Sequence, residues 1–433
     1  MSLAKVQHKF SVTIEGGKES TTLDNNDIIV CRLFEDIYSY CKTLHLVTKD
    51  TKALHEMLPI VGDEKVTIVY QSLLEDKFSY AEKEFTFYML KVNVANSKDR
   101  NRHHIEFFCV DSMYKKLHSW NFTRSYSDDC YTYMDIAQQI LEDIAEVDLG
   151  EFENCPEKKH YFYTGMRTPI QCVKWLAERC TSDATGQPGY VMYADTYNSG
   201  EDLLNVISLE TLLKKGVDMV PPLDGLYTVR SHNEYNINNI ISYTVNRPDK
   251  QSLRPLLGSF ELCWDIRRKK YIKVECSYKD ALDKFTCLGA KSLFNTAAID
   301  TDIGEYKKHH NVNEDDEEIC KNIYYSDWIK RYCLQQTIQC SLEGHCERFA
   351  GGMIEIKWPS ADDDIQVDPN MTGLFLCKSI THQWMPSQNP VYTQKMVLIK
   401  NGYHESSPKL IDAAKVNTKF TDIRSTSAGL PQG

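Results

Sequence analysis

Proline and glycine are scarce in this 433-residue chain, at 14 and 20 copies, whereas tyrosine and phenylalanine number 25 and 16. Disordered proteins show the opposite balance, and aromatic residues favour β-strands, so a strand-rich chain is expected. No stretch approaches the roughly 18 consecutive apolar residues of a membrane-spanning helix, so no membrane insertion is expected. The N-terminal MSLAKVQHKFSV has no apolar core followed by a small-residue cleavage site, and no secretion signal is expected.

A basic surplus is also missing. The 61 acidic residues against 50 lysines and arginines leave a net charge of −11. Proteins that grip nucleic acid through its phosphates carry the opposite balance, which opposes tight nucleic-acid binding. An acidic surface would still let DNA slide past without adhering. Simple solubility is the commoner reason for such a surface, and both interpretations stay open.

Paired cysteines are absent too: the 15 cysteines form no Cys-x-x-Cys motif, and their number is odd. Scattered single cysteines are typical of buried, reduced thiols in a protein made in a cytosol. In that compartment the glycosylation sequons at Asn121 and Asn370 have no role.

The sequence lacks the common motifs of catalysis and metal binding, among them Gly-x-Ser-x-Gly, Gly-x-x-x-x-Gly-Lys and His-Glu-x-x-His. His345 adjoins Cys346, with Cys340 nearby, but zinc sites usually take their ligands in close pairs, so packing is the favoured interpretation. Adjacent His103 and His104 would point to opposite faces of a strand and make a poor chelate.

Two acidic runs, Asn313 to Glu318 and Ala361 to Asp368, could be read as calcium loops. Neither has the alternating ligands, central glycine and terminal glutamate of an EF-hand, so both are predicted to be solvated loops. Paired carboxylates for glycoside cleavage could lie far apart in the sequence, but nothing singles out such a pair. We therefore predict no catalytic, cofactor-binding or metal-binding residue, no cofactor, and no enzymatic activity.

Hydrophobic periodicity divides the chain into five parts. Residues 1–116 contain six alternating runs separated by turns, as in an antiparallel barrel or sandwich. Residues 117–226 read as a small α+β domain with two amphipathic helices. A second β region, 227–250 and 319–404, is interrupted by an insertion at 251–318 and includes a helix predicted to be capped near Ser326 or Asp327. Residues 405–433 read as an extended arm or frayed tail.

Apolar stripes define the two helices of residues 117–226. The stripe of the first helix consists of Met134, Ala137, Ile140, Leu141 and Ile144. The second helix is expected to begin with Thr168 as its cap and Pro169 in its first turn. Its stripe consists of Ile170, Val173, Leu176, Ala177 and Cys180.

An internal echo links the two β regions at a constant spacing of 288 residues. It pairs the strand residues Val66, Ile68, Tyr70, Phe87, Met89, Phe108 and Val110 with Ile354, Ile356, Trp358, Phe375, Cys377, Met396 and Leu398. Either any two three-stranded meanders align in this way, or the chain contains two copies of one barrel.

Three segments carry a resemblance to a known family. Phe162 to Cys180 and the preceding Ser125 to Ile144 resemble the helices that follow the first barrel in the baseplate central hub proteins of contractile-tailed bacteriophages. The C-terminal strands, with Ile380 to His382 and Lys400 to Gly402, are similar to the closing strands of the second barrel in that family. The family is related to the base of secretion-system spike proteins. The resemblance implies a β-rich α+β fold with two tail-tube-like antiparallel β-barrels and inserted or peripheral α+β domains.

The resemblance also implies a structural role in a phage tail baseplate. The chain would form a homotrimer whose six barrels adapt a sixfold tail tube to a threefold central spike. The expected partners are the spike and a tail tube or tube-initiator protein, with tape-measure and baseplate wedge proteins as further candidates. DNA would pass through the channel without specific binding, in a virion assembled in the host cytoplasm. The alternatives are a hub-like base of a secretion-system spike, another tail-tube component, and a cell-wall hydrolase or carbohydrate-binding module.

Overall fold

The structure is a computed structural model. It describes residues 7–16, 19–50, 62, 64–74, 78–79, 82–96, 103–127, 131–159, 161–195, 203–218, 227–228, 240–246, 258–265, 269–277, 285–288, 291–292, 306–307, 317–333, 336–346, 348–358, 368, 371–386 and 391–403. The predicted tail at 405–433, most of the insertion at 251–318 and most of the acidic run from Ala361 lie outside these residues.

Strands dominate the described part of the chain, which confirms the prediction of a β-rich α+β protein. The strands are β1 Gln7–Gly16, β2 Glu19–Thr22, β3 Ile28–Asp36, β4 Thr43–Lys49, β5 Lys65–Leu74, β6 Phe78–Ser79, β7 Lys83–Asn96, β8 His103–Val110, β9 Ser125–Tyr126, β10 Asp148–Phe152, β11 Phe162–Tyr163, β12 Tyr190–Ala194, β13 Leu203–Ser208, β14 Tyr227–Thr228, β15 Ile240–Asn246, β16 Gly258–Asp265, β17 Lys270–Ser277, β18 Lys291–Ser292, β19 Tyr306–Lys307, β20 Gln336–Glu343, β21 Met353–Lys357, β22 Gly373–Met385, β23 Val391–Lys400 and β24 Gly402–Tyr403. The helices are α1 Ser112–His118, α2 Tyr133–Gln139, α3 Pro169–Ala177, α4 Leu209–Asp218 and α5 Glu317–Tyr332.

One large sheet contains both predicted β regions. Its strand order is β15-β20-β23-β22-β3-β4-β8-β7-β5-β1-β2, with β6, β14 and β21 attached at its sides. The strands alternate inward and outward residues, as in β4, because one face of the sheet covers a core and the other does not. The sequence predicted two antiparallel barrels, and the structure joins the two β regions edge to edge through β3 and β22.

The two β regions repeat the same five-stranded pairing scheme. We call β3-β4-β8-β7-β5 the first ladder and β15-β20-β23-β22-β21 the second ladder. Val66 pairs with Phe87 in the first, and Ile354 pairs with Phe375 in the second, each 288 residues later. The amide of Met89 donates to the carbonyl of Glu64, and 288 residues later that of Cys377 donates to Gly352.

Irregularities of the strands repeat as well. The β7–β8 pairing skips Leu90, and the β22–β23 pairing skips Lys378, again 288 residues later. The β3–β4 pairing skips Ile29, and the β15–β20 pairing skips Ile241 at the equivalent place. A bulge adds one unpaired residue and bends its strand, so shared bulges go beyond what two unrelated meanders would show. The interpretation of two copies is therefore favoured over a chance alignment.

The predicted spacing is wrong by one residue for the last strand of the echo. Met89 pairs with Cys109 and Cys377 pairs with Leu398, so β23 follows β8 at 289 residues. The predicted spacing of 288 residues made half-buried Phe108 the equivalent of buried Met396. A one-residue slip exchanges the two faces of a strand, and only the longer spacing keeps Phe107 and Met396 both inside.

Residues 112–218 form a module of helices around a small sheet ordered β10-β13-β12. Helix α3 begins as predicted, since Thr168 and Gln171 form a capping box and Pro169 occupies the first turn. Helix α2 has its own capping box between Thr132 and Asp135 and passes into a π-helical turn, Ile140–Ile144. The wider turn carries Ile144 off the buried stripe, so that it is only half-buried.

Helix α5 begins nine residues before the predicted cap at Ser326. Glu317 and Glu318 lie in its first turn, where negative charge favours a helix N-terminus, and both pair with Lys321. The end of the acidic run is therefore helical rather than a solvated loop. Trp328 and Ile329, further along the helix, are buried in the core of the second β region.

The expectation of reduced thiols is wrong at Cys320, which is disulfide-bonded on the buried side of α5. Eleven other cysteines of the described residues are free thiols, and ten of these are buried. Burial raises the pKa of the Cys109 thiol to about 12, and the nearby Glu64 adds to the effect. Scattered spacing thus correctly indicated buried thiols but did not exclude a single bridge.

Candidate functional site

The contact between the two ladders is the most distinctive feature of the sheet. We call it the internal joint: Cys31–Asp36 of β3 pairs antiparallel with Ser379–Trp384 of β22. Before its bulge, β22 pairs with β21; after the bulge it pairs with β3. The bulge at Lys378 thus marks the residue at which one edge of β22 changes partner from β21 to β3, while its other edge stays paired with β23. There the carbonyl of Lys378 accepts from the amide of Ile37.

A buried polar contact crosses the internal joint. His382 Nε2 lies 3.2 Å from the Glu35 carboxylate, and both side chains are buried. The second carboxylate oxygen of Glu35 accepts from the amide of Ala350 at 3.2 Å. On the other side of the ring, His382 Nδ1 lies 2.6 Å from the hydroxyl of Tyr392. Buried polar groups need such partners, and here the partners come from different segments of the chain.

The network continues through the turn after β20. Gln394 Nε2 donates to the carbonyl of His345 at 2.7 Å, and its Oε1 accepts from the His345 amide and from Arg348. Burial, assisted by the nearby Arg348 and His8, lowers the pKa of His345 to about 3, so its ring is neutral near pH 7. The main-chain groups of this turn are thereby fixed against β23.

Aromatic side chains of the second ladder complete the core of the first. Trp384 and Tyr392 belong to the same buried cluster as Phe10 and Tyr70. The ring of Trp384 stacks on Phe10 at 5.0 Å and on Tyr392 at 4.9 Å, and it lies 4.7 Å from Tyr70. The two ladders therefore share one core at the joint and cannot separate without exposing it.

Histidine, glutamate and tyrosine side chains in contact could suggest a catalytic group. All three, Glu35, His382 and Tyr392, are buried, at 5%, 0% and 3% exposure, and a reacting group must reach its substrate. Burial also raises the pKa of Tyr392, which keeps its hydroxyl protonated. The arrangement is suited to holding the two ladders together.

The structure separates the candidate residues that the sequence brought together. Cys340 lies in the core of the second β region and Cys346 in that of the first. Within the described ranges no three histidine, cysteine or acidic side chains converge as metal ligands. His103 and His104 lie on β8 as expected. Asn121 is exposed, whereas Asn370 lies outside the described residues.

A small cleft lies beside the module and is lined by Tyr38, Lys174, Glu178, Tyr190 and Lys330, among others. Its volume of about 190 Å³ is below the roughly 300 Å³ at which ligand pockets begin. Burial lowers the pKa of Lys330, and the charge of Glu178 opposes that shift. The cleft is therefore better described as a packing gap than as a substrate site.

Among the described residues, the positions equivalent to the internal joint have no strand partner on one side. In the first ladder, Lys91–Asn96 of β7 pairs with β8 on one side only, within the part of the chain that the structure describes. In the second ladder, β15 pairs only with β20 among the described strands. Each ladder thus has one open edge among the described strands. In the internal joint, the equivalent edge of the other ladder is paired: β22 is the equivalent of β7, and β3 is the equivalent of β15.

No family model and no curated protein matches this chain. Solved structures do. The tail protein of Neisseria meningitidis MC58 is 10% identical, with a TM-score of 0.53 over 90% of this chain and 96% of that one. The 43 kDa tail protein of prophage MuSo2 from Shewanella oneidensis is also 10% identical, with a TM-score of 0.54 over 90% and 98% of the two chains. This chain has the fold of a phage tail protein.

The same tail-protein fold occurs in a chain of the lidded PdpA–VgrG complex of Francisella. That chain is 9% identical, with a TM-score of 0.51 over 92% of this chain and 53% of its own length. The predicted tail-tube-like antiparallel β architecture with peripheral α+β elements is confirmed. No helix of the described residues has the length and apolar character to span a membrane.

Sequence reasoning missed the Glu35–His382 contact. One signal was available, because alternation along β3 places Glu35 on the same face as buried Cys31 and Leu33. An acidic residue in an inward position requires a buried partner. The identity of that partner, 347 positions away, was beyond the reach of local pattern.

Proposed function

We propose that the chain is the structural hub of a phage tail baseplate. It would act as a homotrimer in which three copies of two ladders form a ring of six tube-like units. Such a ring would adapt a sixfold tail tube to a threefold central spike. The observation that carries this proposal is the register-matched duplication within one chain, because two equivalent units per subunit turn a threefold assembly into a quasi-sixfold one.

The likeness to two tail proteins over nearly their whole lengths supports the same role. The proposed partners are the central spike and a tail tube or tube-initiator protein, with tape-measure and wedge proteins at the periphery. The proposed site of action is the virion tail, following assembly in the host cytoplasm. The net charge of −11 fits a channel through which DNA moves without adhering.

The role is proposed to be non-enzymatic, with no catalytic, cofactor or metal residues. In this proposal residues 1–116 form the first barrel, 117–226 a bracing domain, and 227–250 with 319–404 the second barrel. Residues 251–318 form an insertion domain and 405–433 a C-terminal arm. Limited proteolysis followed by mass spectrometry would test these boundaries, with first cuts expected inside 251–318 and beyond 404.

The subunit count tests the proposal. Size-exclusion chromatography with light scattering should give three copies of the 50.0 kDa chain at micromolar concentration. Image averages of the particle should show six similar densities around a threefold axis. A stable monomer at that concentration, or a dimer, would contradict the hub. Loss of cell-wall turbidity on adding the isolated chain would instead favour the hydrolase alternative.

A second candidate is the hub-like base of a secretion-system spike. The likeness to a chain of the Francisella PdpA–VgrG complex favours it. Both candidates predict a trimer, so the partner decides between them. Mass spectrometry of the native particle should find tail-tube and capsid proteins for a phage hub, and effector or sheath proteins of a secretion system for the alternative.

A further inference from the structure

We infer that β7 of one copy pairs antiparallel with β15 of the next copy, in the register of the internal joint. The inference rests on the proposed ring of three chains and identifies its subunit interface. By this register Val94 of one chain lies opposite Val245 of its neighbour, and Asn93 lies opposite Asn246. The partner is a second copy of this chain.

The register follows from the equivalence of the two ladders. Residues 373–384 of β22 correspond to residues of β7 that are 288 positions earlier. Every residue of β15 corresponds to a residue of β3 that is 212 positions earlier, as fixed by the bulges at Ile29 and Ile241. In the internal joint His382 pairs with Leu33 and Thr381 pairs with Phe34. Applying the two offsets gives Val94 with Val245 and Asn93 with Asn246.

Burial on the β7 side indicates that a partner is missing. Ile380 and His382, after the bulge of β22, are 1% and 0% exposed beneath the internal joint. Their equivalents on β7 point to the same inner face, yet Val92 is only half-buried and Val94 is 48% exposed. The bulge residue Leu90 is 55% exposed as well. An apolar strand edge in this state invites pairing with another chain.

The β15 side shows the complementary pattern. Cys31 and Leu33 of β3 are fully buried in the internal joint, whereas their equivalents Tyr243 and Val245 are 47% exposed and half-buried. Ile241, the bulge residue of β15, is the most exposed of these, at 67%. Both β7 and β15 thus expose apolar residues whose equivalents in the internal joint are buried, and these are the strands that the internal joint predicts to be partners.

The geometry of this contact leads to a ring. The β7 edge and the β15 edge are different surfaces, so the contact is head to tail, and each chain has one of each. Around three chains, internal joints would alternate with intermolecular joints, and all six ladders would have equivalent neighbours. Pairing of β15 with its own copy would instead be twofold and stop at a dimer.

The chemistry of the intermolecular joint would differ from that of the internal one. The four strand pairs within the described backbone are Asn93–Asn246, Val94–Val245, Ala95–Thr244 and Asn96–Tyr243. All are uncharged, so the contact would be held by main-chain hydrogen bonds and apolar burial. We therefore expect the trimer to persist in high salt, because screening acts on charges.

Cysteine cross-linking in the full-length chain tests the register. Residues directly opposite on antiparallel strands have Cβ atoms close enough for a disulfide after small adjustment. The double variant Val94→Cys with Val245→Cys should give, on mild oxidation, a ladder of covalent species ending at three chains. The matched control, Asn93→Cys with Val245→Cys, moves one thiol to the opposite face of β7 and should remain uncross-linked.

The wild-type chain and each single variant define the background from native cysteines. Preferential cross-linking of the control, a ladder that stops at two chains, or no cross-link above background would overturn the inference. Light scattering on the same sample separates the two proposals. A trimer without the Val94–Val245 cross-link contradicts only the interface, whereas a monomer contradicts the proposed hub as well.

A charge-swap series provides a second readout. Val94→Arg and Val245→Arg should each raise the trimer dissociation constant by about tenfold or more, because each buries an unpaired charge. Val94→Asp combined with Val245→Arg should recover much of that loss. Glu84→Arg, on an exposed position of β7 away from this edge, is the matched control and should leave the subunit count unchanged. Equal effects of the control and the edge variants would refute the assignment.

Discussion

The two ladders have the same strand order, register and bulges, yet they differ in how their inner residues are covered. After its bulge β22 is sealed by β3, whereas the equivalent part of β7 is open on one side within the described residues. The sealed strand contains His382 and Trp384, and the open one contains Val94 and Asn96 at the same places. The internal joint thus shows what either ladder looks like when its edge is occupied.

This comparison explains the sequence differences between the copies. The internal joint is permanent from the moment the chain folds, so it can hold a buried histidine–glutamate contact and large aromatic side chains. An edge that must remain soluble until assembly does better with small apolar and amide residues, which limit exposed apolar surface. The predictions below break or sharpen this comparison, from the largest expected effect to the smallest.

The largest effect is expected at the shared aromatic core. Trp384→Ala should lower the free energy of unfolding by about 3–5 kcal/mol, because it leaves a cavity among Phe10, Tyr70 and Tyr392. Val94→Ala in the open ladder should change it by less than about 0.5 kcal/mol under dissociating conditions. Urea unfolding followed by circular dichroism measures both. Similar losses for the two variants would contradict the sealed-versus-open distinction.

The buried Glu35–His382 contact should come next. Glu35→Ala removes the carboxylate that contacts His382 and accepts from the Ala350 amide, and it should cost about 1–3 kcal/mol, because buried polar groups are left without their partner. Replacing both by leucine should recover much of this loss, because buried pairs are often no better than apolar residues of similar volume. A double-mutant cycle by urea unfolding gives the coupling. An additive cycle would show that the pair is not coupled.

Acid should lower the free energy of unfolding more steeply than it would in a chain without buried histidines. Burial lowers the folded-state pKa of His345 to about 3 and that of His8 to about 4, from 6.5. Between those values and 6.5 the unfolded chain binds more protons, so stability is full above pH 6.5 and falls as the pH drops. The slope contributed by each histidine is at most about 1.4 kcal/mol per pH unit.

The matched comparison is His345→Gln, whose unfolding free energy should depend less steeply on pH between 6.5 and about 4. The ring of His8 lies 5.0 Å from the ring of Tyr392, so protonation of His8 should affect the same network. A His8→Gln variant should therefore also make the unfolding free energy depend less steeply on pH. Parallel pH profiles for wild type and both variants would show that other groups dominate acid unfolding.

The smallest effect is expected at the bulges. Lys378 lies 3.8 Å from the Asp36 carboxylate, and both side chains are partly exposed, so Lys378→Ala should cost no more than about 1 kcal/mol. Leu90→Ala, at the equivalent position, should leave monomer stability unchanged and weaken only the trimer. Light scattering at falling protein concentration distinguishes these outcomes. A stabilising effect of Leu90→Ala on the trimer would argue against a buried Leu90 at the interface.

Much of the fold followed from local pattern. Alternation gave the strands, because each covers a core on one face, and Thr168 with Pro169 gave the start of α3, because capping is a local interaction. The start of α5 was missed because Glu317 and Glu318 were read as solvated charge, although acidic residues also stabilise a helix N-terminus. The last strand of the echo was placed one residue out, since spacing was held constant across a turn that differs in length.

The internal joint could not be predicted, because its partners Glu35 and His382 lie far apart in the sequence. Cys320 was missed for the same reason, since a disulfide depends on the proximity of two distant thiols. By contrast, the residues of the proposed intermolecular edge, such as Val94 and Val245, show nothing unusual in the sequence. Only the comparison of two equivalent strands, one covered and one open, distinguishes them.

The bulge at Lys378 also has a mechanical meaning. Because β22 stays paired with β23 of its own half while its other edge passes from β21 to β3, the halves cannot pivot without breaking strand pairing along β22. A push or twist applied to one half would be transmitted along β22 to the other half, as along a rigid lever. A collar built from such levers would convey force between the structures above and below it instead of absorbing it.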